Sequence, residues 1–115
     1  MKTTDLEIPL HFGIVNFLES LDIEVSQKAR NYGYFIFEIN VTATDSIEEN
    51  GAFIAEDYET EFYPLGCEHL ITEEVSNQIQ LLLSTEIPNL NDILGAVASE
   101  DVETLIDNKK NYYGN

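Results

Sequence analysis

One stretch of the sequence, from Asn31 to Asn108, contains 17 aspartate and glutamate side chains and neither lysine nor arginine. A stretch of this kind cannot neutralise itself through ion pairs, so its carboxylates must stay in water or meet a cation from outside. Like charges also repel one another in the compact state, and that repulsion weakens as the salt concentration rises. The sequence therefore predicts an anionic exterior, and the amount of charge needs an explanation beyond solubility.

The whole composition is that of one folded domain. A length of 115 residues is typical of a single domain, and a hydrophobic fraction of 43% is sufficient for a core. The formal net charge is −17, from 22 acidic and 5 basic side chains. Adaptation to high salt is an alternative origin of this charge, but the abundant isoleucine and asparagine fit it poorly. We predict a single α+β domain over residues 1–108 and a flexible tail over residues 109–115.

The charge and the absence of certain segments exclude several classes of protein. Nucleic-acid phosphates and anionic lipid headgroups repel a chain this acidic, so we expect no direct binding to nucleic acid or membrane. No apolar run approaches the length of a membrane span, and the first residues lack the pattern of a signal peptide. The single cysteine, Cys67, cannot form an internal disulfide. We expect a cytoplasmic protein whose fold depends on packing.

The spacing of apolar residues predicts the element order α-β-β-β-α-α-α. The predicted elements are a helix over Ile8–Leu21, a short strand within Asp22–Arg30, strands over Tyr34–Thr44 and Ala52–Tyr63, a helix over Thr72–Ser84, and two short helices between Leu90 and Ile106. Thr72 is the predicted N-cap of the first of these C-terminal helices, and Ser99 that of the last. Asn50 and Gly51 favour a tight turn between the two long strands. The adjacent Phe53 and Ile54 indicate either burial on both faces or a bulge. This order predicts a small antiparallel sheet of about three strands with helices packed on one face, in two layers.

Motifs for catalysis or metal binding are weak. The chain has no glycine-rich phosphate loop and no nucleophile elbow. Cys67 and His69 precede a predicted helix, but the nearby carboxylates disfavour a thiolate. Two distant histidines, His11 and His69, do not define a metal site. We predict a protein that is not an enzyme and has no cofactor.

A cluster of oxygen ligands lies next to the predicted turn and is a candidate cation site. Its members are Asp45, Glu48, Glu49 and Asn50. The spacing does not match an EF-hand loop, because Ile47 occupies the third position and Gly51 comes one residue late. We predict no specific metal site there, and whether the acidic members bind a cation stays open.

The second long strand carries a row of acids on one face. Asp57, Glu59 and Glu61 alternate with Tyr58, Thr60 and Phe62, so the carboxylates recur every ~6.6 Å, comparable to successive phosphates of a nucleic-acid strand. Glu38 and Asn40 on the neighbouring strand could extend the row. The alternative is a solvated strand whose charges prevent aggregation. The predicted partner-binding residues are Glu38, Glu56, Asp57, Tyr58, Glu59, Glu61 and Tyr63.

These features together favour a non-enzymatic acidic binding protein whose partner is a basic protein that binds nucleic acid. In charge, size and acidic strand the chain resembles the DNA-mimic inhibitors of phages and mobile elements, of the anti-restriction and anti-CRISPR type. The resemblance implies an inhibitor that presents a surface similar to nucleic acid. One alternative is an immunity protein or antitoxin that neutralises a cationic nuclease toxin. Two others are a small enzyme using Cys67 and His69, and an assembly subunit whose charge serves only solubility.

Overall fold

A computed structural model describes residues 1–67 and 71–113 of the chain, with the side chains of the last helix described as far as residue 103. The elements are, in chain order, β1 (Lys2–Pro9), α1 (Phe12–Ser20), α2 (Gln27–Tyr32), β2 (Tyr34–Glu49), β3 (Ala52–Pro64), α3 (Glu73–Glu86) and α4 (Leu90–Tyr113). The three strands form one antiparallel sheet in the order β1-β2-β3. The predicted α+β class, with a three-stranded antiparallel sheet, is confirmed.

The order of the elements differs from the prediction at the N-terminal end. The predicted helix over Ile8–Leu21 begins only at Phe12, because Lys2–Pro9 forms β1. Ile8 is buried and its neighbours Glu7 and Pro9 are exposed, so Ile8 belongs to the alternation of a strand. The predicted strand within Asp22–Arg30 is also wrong, since no strand is assigned there.

The segment after α1 is irregular and then becomes α2. Ile23 and Val25 are both buried, but they belong to no strand. Ser26 then begins α2, because its Oγ accepts the N–H of Ala29 at 3.1 Å. Gly33 ends the helix in a left-handed conformation with φ of 86°, where a side chain would be strained.

The end of α1 is a Schellman motif with aspartate at the position that glycine usually occupies. Asp22 has φ of 61° and donates its N–H to the carbonyl of Glu19. Ile23 donates its N–H to the carbonyl of Leu18, and both of these side chains are buried. The positive φ at Asp22 therefore arises from helix termination.

The hairpin of β2 and β3 and the helix α3 agree closely with the sequence predictions. Asn50 and Gly51 have φ of 54° and 83°, the two positive values that a two-residue type I′ turn requires. β2 continues to Glu49, so the turn is shorter than the composition of Asp45–Gly51 indicates. Thr72 caps α3 by accepting the N–H of Val75 at 3.2 Å.

The C-terminal part of the chain forms one long helix where two short helices were predicted. Ser99 was predicted to cap the second helix, but it lies inside α4, where its Oγ accepts the N–H of Ala55 at 3.2 Å. Because the hydroxyl of Ser99 bonds a distant strand, it does not cap a helix, and α4 continues through this position. α4 extends to Tyr113, which lies within the segment predicted as a tail. The single domain over residues 1–108 and the flexible tail over residues 109–115 stay predictions.

The chain divides into two compact units. The first unit comprises Met1–Thr4, Ile39–Glu61 and Asn89–Asn115, and the second comprises Asp5–Glu38 and Phe62–Pro88. The buried apolar side chains of the first unit come from β2 and α4: Ile39, Val41, Ala43, Leu90, Leu94, Ala98 and Val102. Those of the second unit are Ile8, Ile14, Leu18, Ile23, Val25, Phe35, Phe37, Phe62, Tyr63, Ile79 and Leu83.

Asp101 of α4 is a buried carboxylate in the first unit, with a relative exposure of 3%. One oxygen accepts the backbone N–H of Ala43 in β2 at 2.9 Å, and the other lies 2.6 Å from the N-terminal ammonium of Met1. Burial alone would raise the pKa of Asp101, but the hydrogen bonds from the ammonium and from Ala43 outweigh it, so the pKa is lowered. Both oxygens of the buried carboxylate therefore have a partner.

Replacing Asp22 with glycine is expected to stabilise the protein. Asp22→Gly keeps the hydrogen bonds of the Schellman motif and removes the steric cost of a β-carbon at positive φ. We expect the free energy of unfolding, measured by urea denaturation, to rise by about 0.5–1 kcal/mol. Asp22→Ala, which loses the carboxylate but keeps a β-carbon, is the control and should not stabilise. A loss of stability in the glycine variant would contradict this account.

Replacing Asp101 with asparagine is expected to destabilise the protein at neutral pH. Asp101→Asn keeps an oxygen for the Ala43 N–H but removes the charge that pairs with the ammonium. We expect the free energy of unfolding to fall by about 1.5–3 kcal/mol, the range for hydrogen bonds to charged groups. Glu100→Gln, at an exposed neighbouring position of α4, is the matched control and should change it little.

The pH dependence of the free energy of unfolding tests whether the charge of Asp101 is what stabilises the fold. Because the folded pKa lies below the unfolded value of about 4, the ionised carboxylate contributes fully above that pH. The contribution is lost as the pH falls through the folded pKa. Stability measured by urea denaturation between about pH 2 and pH 7 should fall more steeply for the parent chain than for Asp101→Asn. If the two proteins lost stability in parallel as the pH fell, the ion pair would not be the source of the stabilisation by Asp101.

Candidate functional site

The acidic strand β3 displays the predicted alternation of faces. Asp57, Glu59 and Glu61 are exposed, whereas Tyr58 and Thr60 are half-buried between them. Successive residues of a strand point to opposite faces, so the three exposed carboxylates lie on one face at intervals of ~6.6 Å. The sheet therefore presents a row of negative charges, and we call Asp57, Glu59 and Glu61 the acidic row.

Two aspartates accompany a break in the alternation of the hairpin. Thr44 and Asp45 in β2 are both exposed, as are Glu56 and Asp57 in β3. The two-residue turn sets a register in which these pairs face each other, so the alternation breaks at the same level on both strands. The break thus lies a few residues beyond Phe53 and Ile54, where the sequence suggested it.

Each of these aspartates accepts a hydrogen bond from the next residue of its strand. Asp45 accepts the N–H of Ser46 at 2.8 Å, and Asp57 accepts the N–H of Tyr58 at 2.9 Å. A local bond of this kind supplies an acceptor for a backbone N–H of the strand. The break therefore leaves Asp57 exposed while restricting the position of its carboxylate.

The first unit offers its carboxylates little positive charge. Among its described side chains Lys2 is basic, and eleven are acidic: Asp45, Glu48, Glu49, Glu56, Asp57, Glu59, Glu61, Asp92, Glu100, Asp101 and Glu103. All of these acids except Asp101 are exposed. The N-terminal ammonium is already within 2.6 Å of Asp101. The unit therefore has a surplus of exposed negative charge, to which the acidic row belongs.

The remaining predicted partner-binding residues are placed differently. Glu56 is exposed in the first unit and adjoins the acidic row. Glu38 is half-buried in the second unit, and Tyr63 is buried there with a relative exposure of 6%. Asn40, proposed as an extension of the row, is buried at 3% and accepts the hydroxyl of Thr3 at 2.9 Å.

Two apolar side chains near the hairpin turn are exposed in the first unit and were not predicted as contact residues. The exposed fractions are 41% for Ile47 and 45% for Phe53. The sequence contains one indication of this, because Phe53 and Ile54 are adjacent apolar residues that interrupt the alternation. The alternation alone does not say which of the two side chains is exposed. Apolar side chains of this size beside carboxylates can add contact area to a charged interface.

The weaker candidates for chemistry do not form a cluster among the described residues. Cys67 is a half-buried free thiol in the second unit, and His69 lies outside the described residues. His11 is exposed just before α1 and makes no side-chain capping bond. Over residues 1–67 and 71–103 no group of three or more histidine, cysteine or acidic side chains is arranged to hold a metal ion.

Comparison with protein-family models, with curated proteins and with solved structures finds no match to this chain. In the described part of the chain, no helix is both long enough and apolar enough to cross a lipid bilayer.

Removing charge from β3 is expected to stabilise the fold at low salt. At ~6.6 Å in water two unit charges repel by about 0.6 kcal/mol, and Glu59 has a charged neighbour of the row on either side. Replacing Glu59 with glutamine should therefore raise the free energy of unfolding by about 1 kcal/mol. The gain should shrink between about 10 mM and about 0.5 M sodium chloride, because salt already screens the repulsion. Urea denaturation of the parent chain and of the variant at the two salt concentrations measures the gain at low salt and at high salt.

A matched control distinguishes local repulsion from net charge. Glu74→Gln removes the same charge from an exposed position of α3. We expect this control to gain less than the β3 variant at low salt. Equal gains would show that only the total charge matters and that the row has no special local field.

Proposed function

We propose that this chain is a non-enzymatic acidic binding protein that presents an anionic surface, similar to that of nucleic acid, to a basic nucleic-acid-binding protein. The observation that carries the proposal is the acidic row, exposed on a strand of a unit with one basic side chain, Lys2, among those described. Such a partner ordinarily uses lysine and arginine to neutralise phosphates. The same side chains can pair with carboxylates at a comparable spacing.

Electrostatics and apolar contact have separate roles in this proposal. Complementary charge speeds the encounter and makes the affinity depend on salt, but exposed ion pairs add little stability once formed. Contact area must therefore come from other side chains. In the first unit Phe53 and Ile47 are exposed and Tyr58 is half-buried, so these are the side chains that we assign to the contact.

The proposal includes an inhibitory role, because a protein that occupies a phosphate-binding surface competes with nucleic acid for it. It also includes a cytoplasmic location, where such a partner would be encountered. An immunity protein or antitoxin would use the same surface against a cationic nuclease. The identity of the captured partner decides between these two roles, since both predict salt-sensitive binding through β3.

Charge reversal on β3 tests the proposal. The partner is first captured from host lysate at low salt, eluted with a salt gradient, identified and purified. The variant Asp57→Lys, Glu59→Lys, Glu61→Lys should weaken binding to that partner by at least a hundredfold, because attraction becomes repulsion along the strand. Isothermal titration calorimetry measures the affinity, and circular dichroism verifies that the variant folds.

The matched control reverses three exposed acids of the second unit, Asp5→Lys, Glu74→Lys and Glu86→Lys, and so has the same net charge. It should weaken binding far less if β3 is the surface. An equal effect of the two triple variants would refute β3 as the binding surface. Phe53→Ala should lower the affinity by tenfold or more without changing its salt dependence, since it removes apolar contact and no charge.

A further inference from the structure

The second unit contains a cavity of about 680 Å³, within the size range of pockets for small molecules. Its walls come from the segment after α1, from α2, from the beginning of β2, and from the end of β3 with the residues that follow it. Ile36, Leu65 and Ile71 contribute apolar wall, and Leu65 is half exposed. The cavity is separate from the acidic row, whose residues belong to the first unit.

Two tyrosines form an aromatic part of the wall. The ring centroids of Tyr32 and Tyr34 are 5.6 Å apart and their planes are tilted by 57°. Gly33 lies between them at positive φ, which allows α2 to end there and β2 to begin. The hydroxyl of Tyr32 donates to Glu7 at 3.3 Å, so this ring is restrained although it is exposed.

Among the described residues, the charged groups on the cavity wall have a negative balance. Asp22 and Glu24 are acidic and Lys28 is basic, and all three are exposed at the wall. The nearby carboxylate of Glu7 raises the pKa of Tyr32. An anionic ligand would therefore meet repulsion from two wall carboxylates.

We propose that this cavity binds a small organic cation with an apolar body, such as an alkylammonium or arylammonium ion. Aromatic rings attract cations through the negative potential of their faces, and quaternary ammonium ions are recognised in this way. Asp22 and Glu24 add attraction, while the aliphatic wall accepts the apolar body. A metal ion fits less well, because it needs several converging oxygen ligands and much of this wall is hydrocarbon.

Three probes test the chemistry of the ligand. Choline and 3,3-dimethylbutan-1-ol have nearly the same shape, but choline alone is charged; benzyltrimethylammonium adds an aromatic body. Binding is followed by NMR titration of the full chain at about 0.15 M salt, with the tyrosine rings labelled. We expect choline to bind about three- to thirtyfold more tightly than its neutral analogue, and benzyltrimethylammonium to bind more tightly than choline.

Variants of the wall should change the affinity in opposite directions. Glu24→Gln should weaken choline binding by about two- to fivefold, and Lys28→Met should strengthen it by a similar factor. Tyr34→Ala should weaken it by about three- to thirtyfold, whereas Tyr34→Phe, which keeps the ring, should preserve it. Glu24 and Lys28 are exposed, so their variants should fold normally.

Glu74→Gln provides the matched control, since it removes the same charge from an exposed residue of the second unit outside the cavity wall. It should leave the affinity for choline unchanged. Equal affinities for choline and its neutral analogue would overturn the proposal. So would the absence of binding by any probe, or equal effects of Glu24→Gln and Glu74→Gln. These outcomes leave the test of the acidic row unaffected, because the two sites share no residue.

Discussion

Lysine and arginine are too scarce in this chain to neutralise its carboxylates. Five basic side chains cannot pair with 22 acidic ones, so the fold must keep most carboxylates in water. Among the described residues, the ion pairs are that of the N-terminal ammonium with Asp101 and that of Arg30 with Glu19. The second is exposed and contributes little to stability. Buried polar groups must therefore obtain most of their partners from neutral side chains and from the backbone.

Several backbone N–H groups of the strands obtain their acceptors from neutral side chains. The Oγ of Ser76 in α3 accepts the N–H of Phe62 at 2.9 Å, and the Oγ of Ser99 in α4 accepts that of Ala55. Each bond supplies an acceptor to β3, which lies at one edge of the sheet. At Ala43 the acceptor of the strand N–H is a carboxylate from a distant part of the chain, and this carboxylate, Asp101, has the N-terminal ammonium as its counter-ion.

Local patterns in the sequence predicted the hairpin and α3 well, because alternation, the Asn50-Gly51 turn and the Thr72 cap act within a few residues. The same alternation placed the acidic row on one face. The errors arise where tertiary contacts decide: β1 is a strand because it pairs with β2, and Ser99 caps no helix because its hydroxyl bonds Ala55. Neither partner is visible in the neighbouring sequence. The cavity has the same origin, since it gathers side chains from four segments.

Edge protection alone does not account for the acidic row. Aggregation through a strand edge uses free N–H and C=O groups in the plane of the sheet. On β3 the N–H groups of Ala55 and Phe62 are bonded to serine hydroxyls, and that of Tyr58 is bonded to Asp57. Strand side chains stand roughly perpendicular to the sheet, so Glu59 and Glu61 project from its face and not along its edge. A role in protecting the edge would not require charges at these two positions, whereas a cationic partner bound to that face would contact both of them.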